Sequence, residues 1–167
     1  MLRNFALPFF LFSVCIILNA QIEEAKPYYE NGRDSLEVGN FEAAISLFSK
    51  AIEIDPQYAS AFLNRGNAKV QNPEEAIKDY NQAIKIDASY AKAYFNRAFI
   101  KTRLNDLQGA QSDYEKTIQI DPSFKEAYVN LGNLNLRLGD TLKASSQYSA
   151  AIKIFPEYAL AFNNRGI

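Results

Sequence analysis

Downstream of Ala25 the apolar residues recur every three to four positions, in stretches separated by short polar breaks. A period near 3.6 predicts amphipathic α-helices. Upstream the pattern differs: Phe5 to Leu18 runs apolar for fourteen residues, broken only by Pro8 and Ser13, with Arg3 the one charge before it. A membrane-spanning helix needs about 20 apolar residues, so this run is short for a span and suits a secretory signal over residues 1–20, cut after Ala20. An uncleaved N-terminal anchor is the alternative. Cys15 follows Phe12-Ser13-Val14, without the small residue an acylation site wants just before it, and reads as one more apolar member of the run. The expected location is periplasmic or extracellular, with no membrane insertion once the signal is removed.

The helical part is one unit copied four times. Ala44, Ala76, Ala110 and Ala144 are each followed four residues later by an aromatic: Phe48, Tyr80, Tyr114 and Tyr148. Near-identical tails follow, such as Ala51-Ile-Glu-Ile-Asp-Pro56, and end at residues 56, 88, 122 and 156, spaced 32, 34 and 34 apart. Such a period signals stacked units that bury their apolar faces on one another. The divisions are 25–58, 59–90, 91–124 and 125–158, two helices each, with a stub at 159–167. Small residues at Gly32, Gly66, Ala98 and Gly132 are expected to face Ala44, Ala76, Ala110 and Ala144, letting the paired helices approach closely while the aromatics fill the wedge to the next unit.

Turn chemistry divides the two helices of each unit. Gly39-Asn40, Asn105-Asp106 and Gly139-Asp140 each offer a left-handed helix stop followed by a capping side chain. The second unit uses Asn72 as cap with Pro73 at the first helical position and Glu74 and Glu75 in the first turn. That unit has lost two residues in its first helix or turn, which predicts a local change of pitch and no break in the array.

Composition then narrows the chemistry. After residue 20 the chain has no Cys, His or Met, which rules out a Cys/His zinc site, a disulfide framework and a Ser-His or Cys-His nucleophile pair. With 18 basic against 19 acidic residues, nothing favours nucleic acid, and no cofactor is expected. Asp55, Asp87 and Asp121, just before the repeat boundaries, read as turn residues. The acids in general read as solvated, with no catalytic pair among them.

These residues resemble the tetratricopeptide repeat. The resemblance rests on the 34-residue period, an aromatic at the fourth position of each unit (Tyr28, Phe62, Tyr94, Tyr128, Phe162), Gly or Ala at the eighth, Ala at the twentieth and an aromatic at the twenty-fourth. The seventh position, often Leu in the family, is Asn31, Arg65, Arg97 and Leu131. The eleventh, often Tyr, is Ser35, Lys69, Lys101 and Asn135. The family implies an all-α, right-handed superhelical solenoid of antiparallel helix pairs, with first helices lining a concave groove that binds protein. The last residues, Ala161 to Ile167, parallel Ala61 to Asn67 and read as the truncated start of a fifth repeat. Leu160 and Phe162 there lack their partner helix, which leaves self-association through the uncapped end as a further expectation.

On that reading the sixth positions face the groove with Glu30, Asn64, Asn96, Asn130 and Asn164, and the ninth with Arg33, Asn67, Phe99, Asn133 and Ile167. An Asn amide matches the C=O and N–H of an extended backbone. The expected peptide-binding set is Asn64, Asn67, Asn96, Asn130, Asn133, Arg33 and Lys92, with fifth-position Tyr29, Leu63, Phe95 and Val129 adding apolar contact or packing. The carboxylate clamp of chaperone-binding members would fall on Tyr29, Arg33, Asn64, Lys92 and Asn96. Two of these five carry the family's residue type, so a complete clamp is not expected. The function implied is a non-enzymatic scaffold for an extended peptide segment. The alternative is the substrate-recruiting or sensory arm of a longer enzyme or signalling protein.

Overall fold

A computed structural model describes residues 6–157 and Asn164, with side chains from Gln21 onward. All of the expected signal's side chains and nearly all of the 159–167 stub, with Leu160 and Phe162, lie outside the described residues. The described residues form eight α-helices and no strand: α1 (Ala6–Glu37), α2 (Phe41–Ile54), α3 (Ala59–Ala68), α4 (Pro73–Ile86), α5 (Ala91–Arg103), α6 (Leu107–Ile120), α7 (Lys125–Arg137) and α8 (Thr141–Ile154). Each helix packs on the next, and α1 also meets α3 as α3 meets α5. Stability is therefore built from hairpins and their nearest-neighbour interfaces. Among the described residues no helix is long and apolar enough to cross a membrane. The missing pair of residues in the second unit falls in its first helix and turn: α3 has 10 residues where α5 and α7 have 13.

Gly39, Gly139 and Asn105 adopt φ of 78°, 80° and 64°, the left-handed stop that the sequence predicts. The side chains of Asn40, Asp106 and Asp140 then accept from the backbone N–H of Ala43, Gly109 and Lys143, at 3.2, 3.0 and 2.9 Å. Asn72 holds the cap position of α4 without this bond. The shortened turn reverses with no left-handed residue and leaves Asn72 at φ −116°, outside the −80° to −95° of the three caps that bond. Asp55, Asp87 and Asp121 accept from the N–H two residues on, as turn residues do.

The four aromatics at the twenty-fourth position are the largest buried side chains, each contributing about 1.5–3 kcal/mol by burial. They correct one expectation. A Cβ added to Gly66 would lie 2.6 Å from the Tyr80 ring, and one added to Gly32 would lie 2.7 Å from Phe48. The nearest neighbour of each glycine is thus the ring of its own repeat, not Ala44 or Ala76, because a ring reaches across the hairpin where a methyl group does not. The rings also touch the following unit: Tyr80 clusters with Ala93 and Ile100 of α5.

The acids are not all solvated. Asp79 and Asp113 are 3% and 4% exposed. Arg97 grips Asp113 with two parallel bonds, Nε at 2.8 Å and Nη2 at 2.6 Å, and Lys101 adds a third contact at 2.9 Å. Arg65 and Lys69 hold Asp79 in the same way, at 3.0, 2.7 and 3.0 Å. Arg65 and Arg97 also lie over the rings of Phe62 and Tyr94, each at 5.4 Å. The seventh and eleventh positions of the middle repeats, read in the sequence as departures from Leu and Tyr, are therefore halves of a three-residue exchange completed by Asp at the twenty-third. Where the outer repeats lack Arg and Lys, that position is Leu47 and Gln147. Among the described residues every buried side-chain polar atom has a partner.

Candidate functional site

The odd-numbered helices line a groove of about 590 Å³. Tyr29 and Arg33 come from α1, Leu63, Asn64 and Asn67 from α3, Lys92, Phe95 and Asn96 from α5, and Glu126 from α7. Its walls are stiffened by ring pairs that tie a first helix to the last residue of its own repeat, Tyr29 with Tyr58 and Phe95 with Phe124, both at 4.7 Å between centroids. The Tyr58 hydroxyl is pushed up to about 12, first by burial and then by Tyr29, Glu30 and Asp55, with Arg33 opposing.

The asparagines form a chain of bonds within the protein. Asn64 donates to the Tyr29 hydroxyl at 3.0 Å, and Asn67 donates to Asn64 Oδ1 at 3.3 Å. Asn67 Oδ1 then accepts twice, from Tyr80 Oη at 3.0 Å and from Asn96 Nδ2 at 2.7 Å. Asn133 Oδ1 repeats this, accepting from Tyr148 at 2.6 Å and from Asn164 at 3.1 Å. A ninth-position Asn thus ties the second-helix Tyr of its own repeat to the sixth-position Asn of the next. Burial pushes the Tyr80 and Tyr148 hydroxyls up, so both remain donors at neutral pH. Asn96 still has one amide hydrogen and its oxygen for a ligand. We expect Tyr80→Phe to cost about 0.5–1.5 kcal/mol in urea unfolding, one net hydrogen bond; no change would show that the bridge contributes nothing.

Of the residues expected from sequence, Arg33, Asn64, Asn67, Lys92 and Asn96 meet in this groove. Asn130 and Asn133 do not line it: Asn130 lies against the Tyr114 hydroxyl, and Asn133 is held by Tyr148 and Asn164. Val129 is 1% exposed and packs with Tyr128 and Tyr148. All five clamp positions, Tyr29, Arg33, Asn64, Lys92 and Asn96, line the one groove, although three of them, Tyr29, Arg33 and Asn96, carry other residue types than the clamp requires.

Electrostatics separate this groove from the core. Arg65, Lys69, Arg97 and Lys101 are locked to carboxylates, whereas Arg33 and Lys92 are exposed and make no ion pair among the described residues. Glu126 is the acid in the lining. A second cavity of about 320 Å³ adjoins at Asn67 and Asn96 and is otherwise apolar: Val70, Tyr80, Phe99 and Ile100. Sequence reasoning placed Phe99 on the groove face without giving it a role. The available signal was that Phe stands at a position held by Asn67 and Asn133 in the two flanking repeats. Among the described residues no group of His, Cys, Asp or Glu could hold a metal ion.

Family models for the TPR repeat match residues 28–73 and 71–104, and one for the tetratricopeptide repeat matches 91–124 and 125–158. No curated protein matches. Among solved structures, the chain is similar to the MamA protein at TM-score 0.77 and 24% identity, covering 86% of this chain and 80% of that one. It is similar to a tetratricopeptide repeat protein from Parabacteroides merdae ATCC 43184 at TM-score 0.76 and 19% identity, covering 85% and 57%. It is also similar to the first TPR of Spaghetti (RPAP3) bound to HSP90 peptide SRMEEVD, at TM-score 0.69 and 28% identity, covering 71% and 95%.

Proposed function

We propose, for a chain that belongs to the tetratricopeptide repeat family, that its groove holds an extended segment of a partner protein and performs no chemistry on it. The observation that carries this reading is the meeting of Arg33 and Lys92, both without ion pairs among the described residues, with partly used asparagine amides in one open groove. Cations left unpaired beside orienting amides suit a segment that brings its own carboxylates. The solved relative that holds an acidic peptide, SRMEEVD, supports the same use of the fold. Three or four backbone bonds at about 0.5–1.5 kcal/mol each fall short of the roughly 8 kcal/mol of a micromolar complex even before the segment is ordered, so charge pairing and apolar burial have to supply the rest and micromolar affinity is the upper bound. The leader-like residues 1–20 support export, so the partner is proposed to be periplasmic or extracellular.

The test is a titration with the tightest peptide selected from a displayed random library. Arg33→Glu together with Lys92→Glu should weaken it at least about tenfold, two unlike charge pairs having become like ones. Far-ultraviolet circular dichroism should not change, since both side chains are exposed. Undiminished affinity in the double variant would place the ligand on another face.

A further inference from the structure

We infer that the segment taken by this groove pairs an acidic side chain with an apolar one about three residues away, and that Phe99 is the residue that sets the apolar requirement. The inference rests on the groove reading above and adds the chemistry of the partner. Its basis is the break in the asparagine bridge. In the second and fourth repeats the ninth-position Asn closes the space between neighbouring repeats with two hydrogen bonds. In the third repeat Phe99 stands there, 47% exposed, unable to make that bridge, beside the 320 Å³ cavity with Val70 and Ile100.

That cavity adjoins the charged groove, with Asn67 and Asn96 lining both. Lys92 and Phe99 lie seven residues apart on α5, about 10 Å along the helix. An extended chain covers that distance in about three residues. A segment whose carboxylate meets Lys92 and Arg33 therefore brings a side chain two to four residues away over Phe99. An exposed ring favours an apolar occupant there, because burying apolar surface is what the cavity offers. Glu126 lines the charged end as well and disfavours a second acid on the α7 side.

The experiment is selection from random linear peptides displayed internally, with no free carboxylate, on the full chain and on two variants. From the wild-type chain the enriched peptides should share Asp or Glu with Leu, Ile, Val, Met or Phe two to four residues away. Phe99→Asn, which installs the residue found in the neighbouring repeats, should lose the apolar position, keep the acid, and bind the best wild-type peptide about tenfold more weakly. Arg33→Glu with Lys92→Glu should lose the acid. An acidic consensus with no apolar position, or an apolar position that persists in Phe99→Asn, overturns the inference and leaves the groove reading standing. Absence of any enrichment from the wild-type chain overturns both.

Discussion

Asp113→Ala is expected to cost the array about 3 kcal/mol, read as a lower urea midpoint with an unchanged slope. The carboxylate is almost fully enclosed and holds Arg97 and Lys101, whose side chains are only 17% and 21% exposed. Removing it leaves two cations without a counter-charge in a place water reaches poorly, and that penalty exceeds what the pair itself contributes. The cost sits at the low end for buried pairs because both cations keep some solvent. The triple variant Arg97→Leu, Lys101→Asn, Asp113→Gln copies Leu131, Asn135 and Gln147 of the fourth repeat. It should return to within about 1 kcal/mol of wild type, since a whole buried ion cluster is exchangeable for packed neutral residues. If Asp113→Ala loses less than about 0.5 kcal/mol, the cluster is behaving as a solvated surface pair.

Gly66→Leu is the other large effect. The 2.6 Å between an added Cβ and the Tyr80 ring leaves no room for even the first carbon. Tyr80 is pinned by Asn67 and packed against α5, so the ring has little freedom to withdraw. Overpacking of this kind costs about 1–3 kcal/mol or more, and the gain in helix propensity over Gly returns about 1 kcal/mol at most. The expected net loss is about 2 kcal/mol, with Asn96 losing its fixed partner as α3 and α4 separate. Ala98 shows that one methyl fits where the hairpin has adjusted to it. Gly66→Ala should therefore lose clearly less than the Leu variant in a thermal melt; equal losses would mean that the first carbon alone meets the full clash with the ring.

What was legible in the sequence was what repeats. The 34-residue period, the glycine and asparagine stops and the aromatic at position twenty-four are local rules written several times over, and helix order and turn type follow from them. Relations between helices were harder. That Asp79 answers Arg65 and Lys69 is a coupling across a hairpin, visible only by comparing positions seven, eleven and twenty-three together across the repeats. Asn72 was legible as the cap of α4, but its missing side-chain bond was not, because that bond depends on the backbone angle that the shortened turn imposes. The groove face was legible at Asn64, Asn67 and Asn96, since sixth and ninth positions share one side of a helix. Their mutual bonding was not, because an amide that suits a peptide backbone suits a neighbouring amide equally well.

A partner segment held on the groove side across α1, α3 and α5 has a direct spectroscopic consequence. Chemical-shift mapping of the labelled chain during titration with a selected acidic–apolar peptide tests it most directly. The largest changes should fall on Arg33, Asn64, Lys92, Asn96 and Phe99, with Lys116 and Gln119 of α6 unmoved. Changes centred instead on Lys116, Gln119 and the neighbouring Tyr94 would contradict it and put the binding face on the opposite side of the repeats.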